Sequence, residues 1–211
     1  MEIDFHIHSN HSFDSHSTVA AILCHAKEIG LDGVAIVDHG TPAGGYEAMG
    51  LPEKERHGLV IIPGMEIMTA FGDILGLFVT RPINTTEPLE VILEMRRQGA
   101  LIVLPHPYFS ELPGQKHLLE HFDAIESCNG RHQMDGGLTV EQAQKQIERF
   151  AKKHNLAVLG GSDAHTVSEI GAATTLVEAQ STDDIRDAIE QKLTTVQHGE
   201  ASRFRKFFFG A

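Results

Sequence analysis

His6 and His8 stand one residue apart in the opening segment Asp4-Phe5-His6-Ile7-His8-Ser9. On a strand, residues two apart point the same way, so one backbone segment can bring both imidazoles to one ion. Asp4 has the same parity and lies deeper, where it could orient a ligand imidazole as a hydrogen-bond acceptor. A His-x-His pair alone is a modest signal, because 14 of the 211 residues are histidine. Its place at the end of the apolar run 3–7 strengthens it.

The theme recurs. Val37-Asp38-His39-Gly40 sets an acid and an imidazole directly after an apolar run; a helix-capping Asp beside an exposed His is the competing reading. Pro63-Gly64-Met65-Glu66-Ile67 follows the run 59–62. A lone Glu amid Gly, Met and Ile is costly to bury unpaired. Metal coordination removes that cost, and its two oxygens could bridge two ions. Leu104-Pro105-His106-Pro107 holds an imidazole between prolines, which restricts the backbone and preorganises a ligand, or makes a structural turn. Gly160-Gly161-Ser162-Asp163-Ala164-His165 again puts acid and imidazole two apart, after glycines that permit close backbone approach. Five such motifs at five consecutive strand ends are hard to explain by core packing. Nitrogen and oxygen donors of this kind suit Zn, Mn or Fe. Cys24 and Cys128 form no Cys-x-x-Cys pattern, so thiolates are not the expected ligands.

What must position these residues is an alternation of short apolar runs and amphipathic stretches. Strand-like runs are 3–7, 34–37, 59–62, 74–79, 101–104, 124–127 and 156–159. Helix-like stretches are 18–29 (with Ser17 as N-cap and Gly30 as stop), 88–98, 140–154 and 183–193. The alternation implies parallel βαβ units, which a doubly wound sheet or a barrel would satisfy. Ligands spread over successive strands favour the barrel, since all its strand C-termini converge on one mouth. The expected fold is therefore α/β, a distorted barrel of about seven strands, and the length fits one domain over 1–211.

Charged residues make up 22% and the formal net charge is −12. That argues against binding long nucleic acids, which needs basic surface. It leaves a phosphorylated small molecule open, because bound divalent ions dominate the local field. There is no apolar run of membrane-spanning length and no visible signal peptide, so no membrane partner and a cytoplasmic location are expected. The tail 202–211, with Phe204, Phe207, Phe208 and Phe209, could dock on the barrel or contact a second copy. His25, His57, His117, His121, His132, His154 and His198 read mostly as solvated, while His11 and His16 flank Asp14 in the loop that should cover the metals.

The chain resembles the PHP family (polymerase and histidinol phosphatase domains) over nearly its whole length. The resemblance is carried by His6-x-His8, Asp38-His39, Gly64-Met65-Glu66, Pro105-His106-Pro107, Glu126-x-x-Asn129-Gly130-Arg131 and Gly161-Ser162-Asp163-Ala164-His165. It implies a distorted seven-stranded β/α barrel, TIM-like in form, with a trinuclear site for Zn, Mn or Fe and mostly phosphoesterase activity. It implies further that His6, His8, Glu66 and Asp163 hold one ion and that Asp14, His39 and His165 hold a second. Glu66 would also bridge to a third ion held by His106. Many relatives carry a His where this chain has Asp73, in Phe71-Gly72-Asp73-Ile74-Leu75-Gly76. Asp73 could ligate through oxygen, weaken or abolish the third site, or shift it towards Mn.

The expected reaction is hydrolysis of a phosphoester by two or three divalent ions that activate water. His6, His8, Glu66, Asp163 and His165 form the reaction centre in this reading, with Arg131, His11 and Asn129 towards substrate. A guanidinium at Arg131 can grip phosphate with two hydrogen bonds; a loop-holding salt bridge is the competing role. The rivals are hydrolysis of a lactone or amide on the same metals, a nuclease acting on short nucleic acids, and a noncatalytic metal-stabilised module.

Overall fold

The computed structural model describes residues 1–107, 116–131 and 139–199. The elements in chain order are β1 (Glu2–Ile7), α1 (Val19–Glu28), β2 (Gly33–Ile36), α2 (Ala43–Gly50), α3 (Glu53–Arg56), β3 (Val60–Thr69), β4 (Gly72–Leu77), α4 (Pro88–Arg97), β5 (Leu101–Leu104), α5 (Lys116–Leu119), β6 (Ala124–Asn129), α6 (Val140–His154), β7 (Ala157–Gly161), β8 (Ala173–Val177), α7 (Thr182–Glu190) and β9 (Thr194–His198).

The strands form one sheet in the order β7-β6-β5-β4-β3-β2-β1-β8-β9. Its ends nearly meet. Thr175 Oγ1 on β8 accepts from the Gly160 backbone N at 2.7 Å, and Thr194 Oγ1 on β9 donates to the Val158 carbonyl at 2.7 Å. Beyond β7, Ala164 bridges to Ile7 of β1 in parallel. The α/β barrel is thus the observed architecture, but with nine strands among the described residues where seven were expected. β8 and β9 escaped notice because Ala173-Thr-Thr-Leu-Val177 and Thr194-Thr-Val-Gln-His198 carry no continuous apolar run.

The sheet is also mixed rather than wholly parallel. β4 runs antiparallel to both β3 and β5, and β8 antiparallel to β1 and β9. Only Ala70 and Phe71 separate β3 from β4, too few for the crossover that a parallel pair requires. Glu66 consequently lies inside β3 rather than after its end, and the site motifs do not sit at five consecutive strand ends.

Phe5, Val37, Ile62, Leu75, Val103, Ala124 and Leu159 fill the barrel interior, one from each of several strands and their ends. Outside, α1 buries Val19, Ile22, Leu23 and Ala26, a stripe at helical spacing, towards β1 and β2. Its N-cap is Thr18, which accepts from Ala21 N at 3.3 Å. Ser17, the expected cap, instead donates to the His165 carbonyl. Capping boxes at Thr139/Gln142 and Ser181/Asp184 start α6 and α7. The segment between His39 and β3 contains α2 and α3. His198 is not solvated: its ring meets Cys128 Sγ at 3.1 Å and Gln144 Oε1 at 2.6 Å. No helix among the described residues is long and apolar enough to cross a membrane. The phenylalanine-rich tail, His132 and most of the segment 110–117 lie outside the described residues.

Candidate metal centre

β1 delivers His6 and His8 with their Nε2 atoms 3.0 Å apart, both rings fully buried. The pairing of β1 with β2 shifts register between Asp4 and Ile7, and such irregularities re-aim side chains. Asp4 does not orient an imidazole. Its carboxylate accepts three backbone N–H groups: His6 at 3.2 Å, Ser162 at 2.8 Å and Gly171 at 2.9 Å. The role proposed for Asp4 falls to Glu126 on β6, whose Oε1 accepts from His6 Nδ1 at 2.8 Å. Glu126 Oε2 also accepts from the backbone N of His106 at 2.8 Å and from Asn129 Nδ2 at 3.0 Å. A buried acid in an otherwise apolar strand was the available signal, the same one that singled out Glu66.

His8 is fixed from the other side. Ser12 Oγ lies 3.1 Å from His8 Nδ1, accepts from the His39 backbone N at 2.9 Å and donates to Asp38 Oδ1 at 3.1 Å. A hydroxyl has one proton, and here Asp38 takes it. Ser12 must therefore accept from His8 Nδ1, which leaves His8 Nε2 as the free lone pair. Asp38 also receives Ser9 N and Ser9 Oγ. It braces the loop rather than facing the donors. His165 follows the same rule, with Nδ1 given to the Asp163 carbonyl at 2.9 Å and Nε2 3.0 Å from Asp14 Oδ2.

The donors converge on one volume. Glu66 Oε2 lies 3.3 Å from His6 Nε2, 3.2 Å from His8 Nε2 and 3.5 Å from His39 Nδ1; its Oε1 lies 3.0 Å from His106 Nε2. Asp163 Oδ1 lies 3.6 and 3.5 Å from the Nε2 atoms of His6 and His8. His39 Nε2 stands 3.5 Å from Asp14. Among the described residues, three groups have donor atoms close enough to hold an ion: His8, Asp14, His39 and His165; His6, His8 and Asp163; and His6, Glu66 and His106. His8 belongs to the first two and His6 to the last two. Asp73, at the start of β4, stands 3.7 Å from His106 Nε2 and outside these groups. His106 and Asp163 hold left-handed backbone conformations, φ 26° and 54°, so strain is concentrated on two of the donors. At Gly161 an added Cβ would lie 2.4 Å from the Cβ of His6, which makes glycine the condition for β7 to pass this close to β1.

The buried acids draw protons onto the imidazoles. Burial alone would depress the His6 imidazolium, but Glu126, Glu66 and Asp163 outweigh it and hold His6 well above its usual range. His8 is raised likewise, against burial, by Asp163 and Glu66. Burial opposes the charge on His106 too, yet Glu66 brings it up to about 9. Glu66 and Asp163 remain ionised despite burial because His6 lies beside each. His39 is lowered, chiefly by burial, and its Nδ1 is a buried atom without a hydrogen-bond partner. Facing imidazole lone pairs, ionised carboxylates and an orphaned ring nitrogen fit divalent cations.

The remaining site candidates lie at the rim. His11 Nε2 is paired with Glu47 at 2.6 Å. Asn129 points its amide at Glu126 and, at 3.5 Å, at Asp163. Arg131 is exposed, and its charge acts on Glu169, which accepts from the backbone N of His165. Replacing Glu126 with alanine removes the acceptor that aims His6, and metal affinity should weaken by about 10- to 100-fold. Titration calorimetry with Mn or Zn measures this; unchanged affinity would show that Glu126 does not aim His6.

A PHP-associated family model matches residues 141–193. An uncharacterized protein of Methanocaldococcus jannaschii is 35% identical over 166 residues, covering 72% of this chain and 95% of that one. A two-domain protein of Bacteroides vulgatus containing a predicted PHP-like metal-dependent phosphoesterase superposes with a TM-score of 0.78 at 22% identity, over 95% of this chain. The chain spans 65% of that protein's length. An amidohydrolase of Chromobacterium violaceum superposes with a TM-score of 0.63 at 15% identity, over 93% of this chain and 97% of that one. A mixed α/β barrel with a mouth full of nitrogen and oxygen donors is the class that fold and site define. The chain belongs to the PHP family.

Proposed function

We propose that the chain is a metal-dependent hydrolase of phosphoesters, acting on a small phosphorylated metabolite or a nucleotide. One observation carries the reading: the two oxygens of Glu66 stand between the His6/His8 pair and His106, so neighbouring donor groups are joined by one buried carboxylate. His6, His8, Asp14, His39, Glu66, His106, Asp163 and His165 would hold two or three divalent ions, Zn, Mn or Fe, with Asp73 beside the His106 end. Such ions supply Lewis acidity, which activates water near neutral pH and offsets phosphate charge. The chain's own part is to keep the donors aimed. Glu126, Ser12 and the Asp163 carbonyl each hold the Nδ1 proton of an imidazole and present its Nε2. Arg131, at the rim, is the guanidinium available to a phosphate.

The test is release of phosphate from a panel of nucleotides, bisphosphates and sugar phosphates, before and after EDTA, with Mn or Zn added back. Full activity after complete metal removal would sink the reading. Hydrolysis of lactones or amides without phosphate release would point instead to another hydrolysis on the same metals. Metal affinity should rise with pH. The raised imidazoles of His6, His8 and His106 bind protons in the metal-free site, and each must leave when an ion enters. The gain continues at least to about pH 9, where His106 loses its proton. A calorimetric pH series that stays flat from 6 to 9 would contradict this.

A further inference from the structure

Phe13 is 72% exposed, the most exposed large apolar side chain among the described residues. Its surroundings are rigid. Ser9, Ser12, Ser15 and Ser17 of the same loop are all buried. Ser12 N donates to the Ser9 carbonyl at 3.0 Å, and Asn10 N to the Ser17 carbonyl at 2.8 Å. Ser15 Oγ bridges the carbonyls of His8 and His165 at 2.9 and 3.0 Å. The next residue, Asp14, meets His165 Nε2 at 3.0 Å. The ring itself lies on His39, with centroids 5.2 Å apart and planes 25° from parallel. A flat hydrocarbon surface is therefore held in water at the edge of the donor cluster, at a fixed tilt, where a mobile surface side chain would have no fixed plane.

Water gains nothing from such a surface, whereas a second flat ring does. Aromatic faces stack with offset geometry, and the stacking tolerates any ring that has a π face. We propose that Phe13 is a substrate-binding platform and that the group esterified to the phosphate presents a planar aromatic or heteroaromatic face, an aryl ring or a nucleobase. This rests on the phosphoesterase reading for its kinetic test, though not for its binding test.

The kinetic measurement is the ratio of kcat/KM for phenyl phosphate, and for adenosine monophosphate, to that for glycerol phosphate. Phe13→Ala should lower at least one of these ratios by about tenfold, and Phe13→Trp should restore it. Equal effects on all three substrates would overturn the platform. The binding measurement needs no turnover. The chain has no tryptophan and two tyrosines, so the tryptophan fluorescence of the metal-loaded Phe13→Trp protein, excited selectively, comes from that one position. Adenosine monophosphate or phenyl phosphate should quench it saturably, and ribose 5-phosphate should not. Absence of quenching by both ring-bearing compounds overturns the proposal even in an active phosphatase. Quenching in a metal-loaded protein that releases phosphate from none of these esters and none of the wider panel upholds the platform and removes the phosphoesterase reading.

Discussion

Replacing Glu66 with glutamine is expected to lower phosphoester turnover by about a thousandfold or more, the equivalent of about 4 kcal/mol of transition-state stabilisation. Glutamine keeps the shape and removes the charge. Glu66 is fully buried and approaches four imidazoles, those of His6, His8, His39 and His106. No other carboxylate among the described residues approaches so many imidazoles, so its loss is expected to weaken more than one ion at once. Elemental analysis of the purified variant should show at least one equivalent of metal fewer than the parent. Its circular dichroism should be unchanged, because β3 is held by its pairing with β2 and β4. A variant that keeps full metal and more than a tenth of parental turnover would remove Glu66 from the centre of the site.

Asp4 carries the second large effect, on stability rather than chemistry. Replacing it with alanine strands three buried N–H donors, those of His6, Ser162 and Gly171. An unsatisfied buried donor costs about 1–3 kcal/mol. Part of the loss is offset, because burial also opposes the Asp4 charge and pushes its carboxyl up to about 6. The expected net destabilisation is about 3 kcal/mol, or roughly 10 °C in the melting temperature. Asparagine retains one acceptor and should fall between the two. The pH dependence has a definite sign. A carboxyl whose folded pKa exceeds its unfolded value disfavours folding increasingly as pH rises from about 4 through 6. The gap between parent and Asp4→Ala should therefore widen as pH is lowered from 7 towards 5. A melting temperature within 2 °C of the parent at both pH values would show that the three N–H groups find other partners.

Asp4 and Glu126 mark where the sequence stopped speaking. Residue type and spacing selected His6, His8, His39, Glu66, His106, Asp163 and His165, the family resemblance added Asp14, and the fold brings all eight to one mouth. That much is local: a strand of alternating side chains, an acid too costly to bury alone, glycines where strands pass closely. The same local reasoning found seven strands and α1, α4, α6 and α7 to within a few residues, except that β3 runs on to Thr69 where its apolar run stops at 62. It missed β8 and β9, whose apolar character exists only through their neighbours, and it made the β3–β4 hairpin a parallel unit. It gave Asp4 the work of Glu126, because parity along one strand says nothing about a register shift or about a carboxylate reaching in from β6. Which donors exist was decided by composition along the chain. Which nitrogen each presents, and which carboxylate joins two groups, was decided by packing: those facts depend on contacts between residues up to 120 positions apart, which only the closed barrel brings within hydrogen-bond distance.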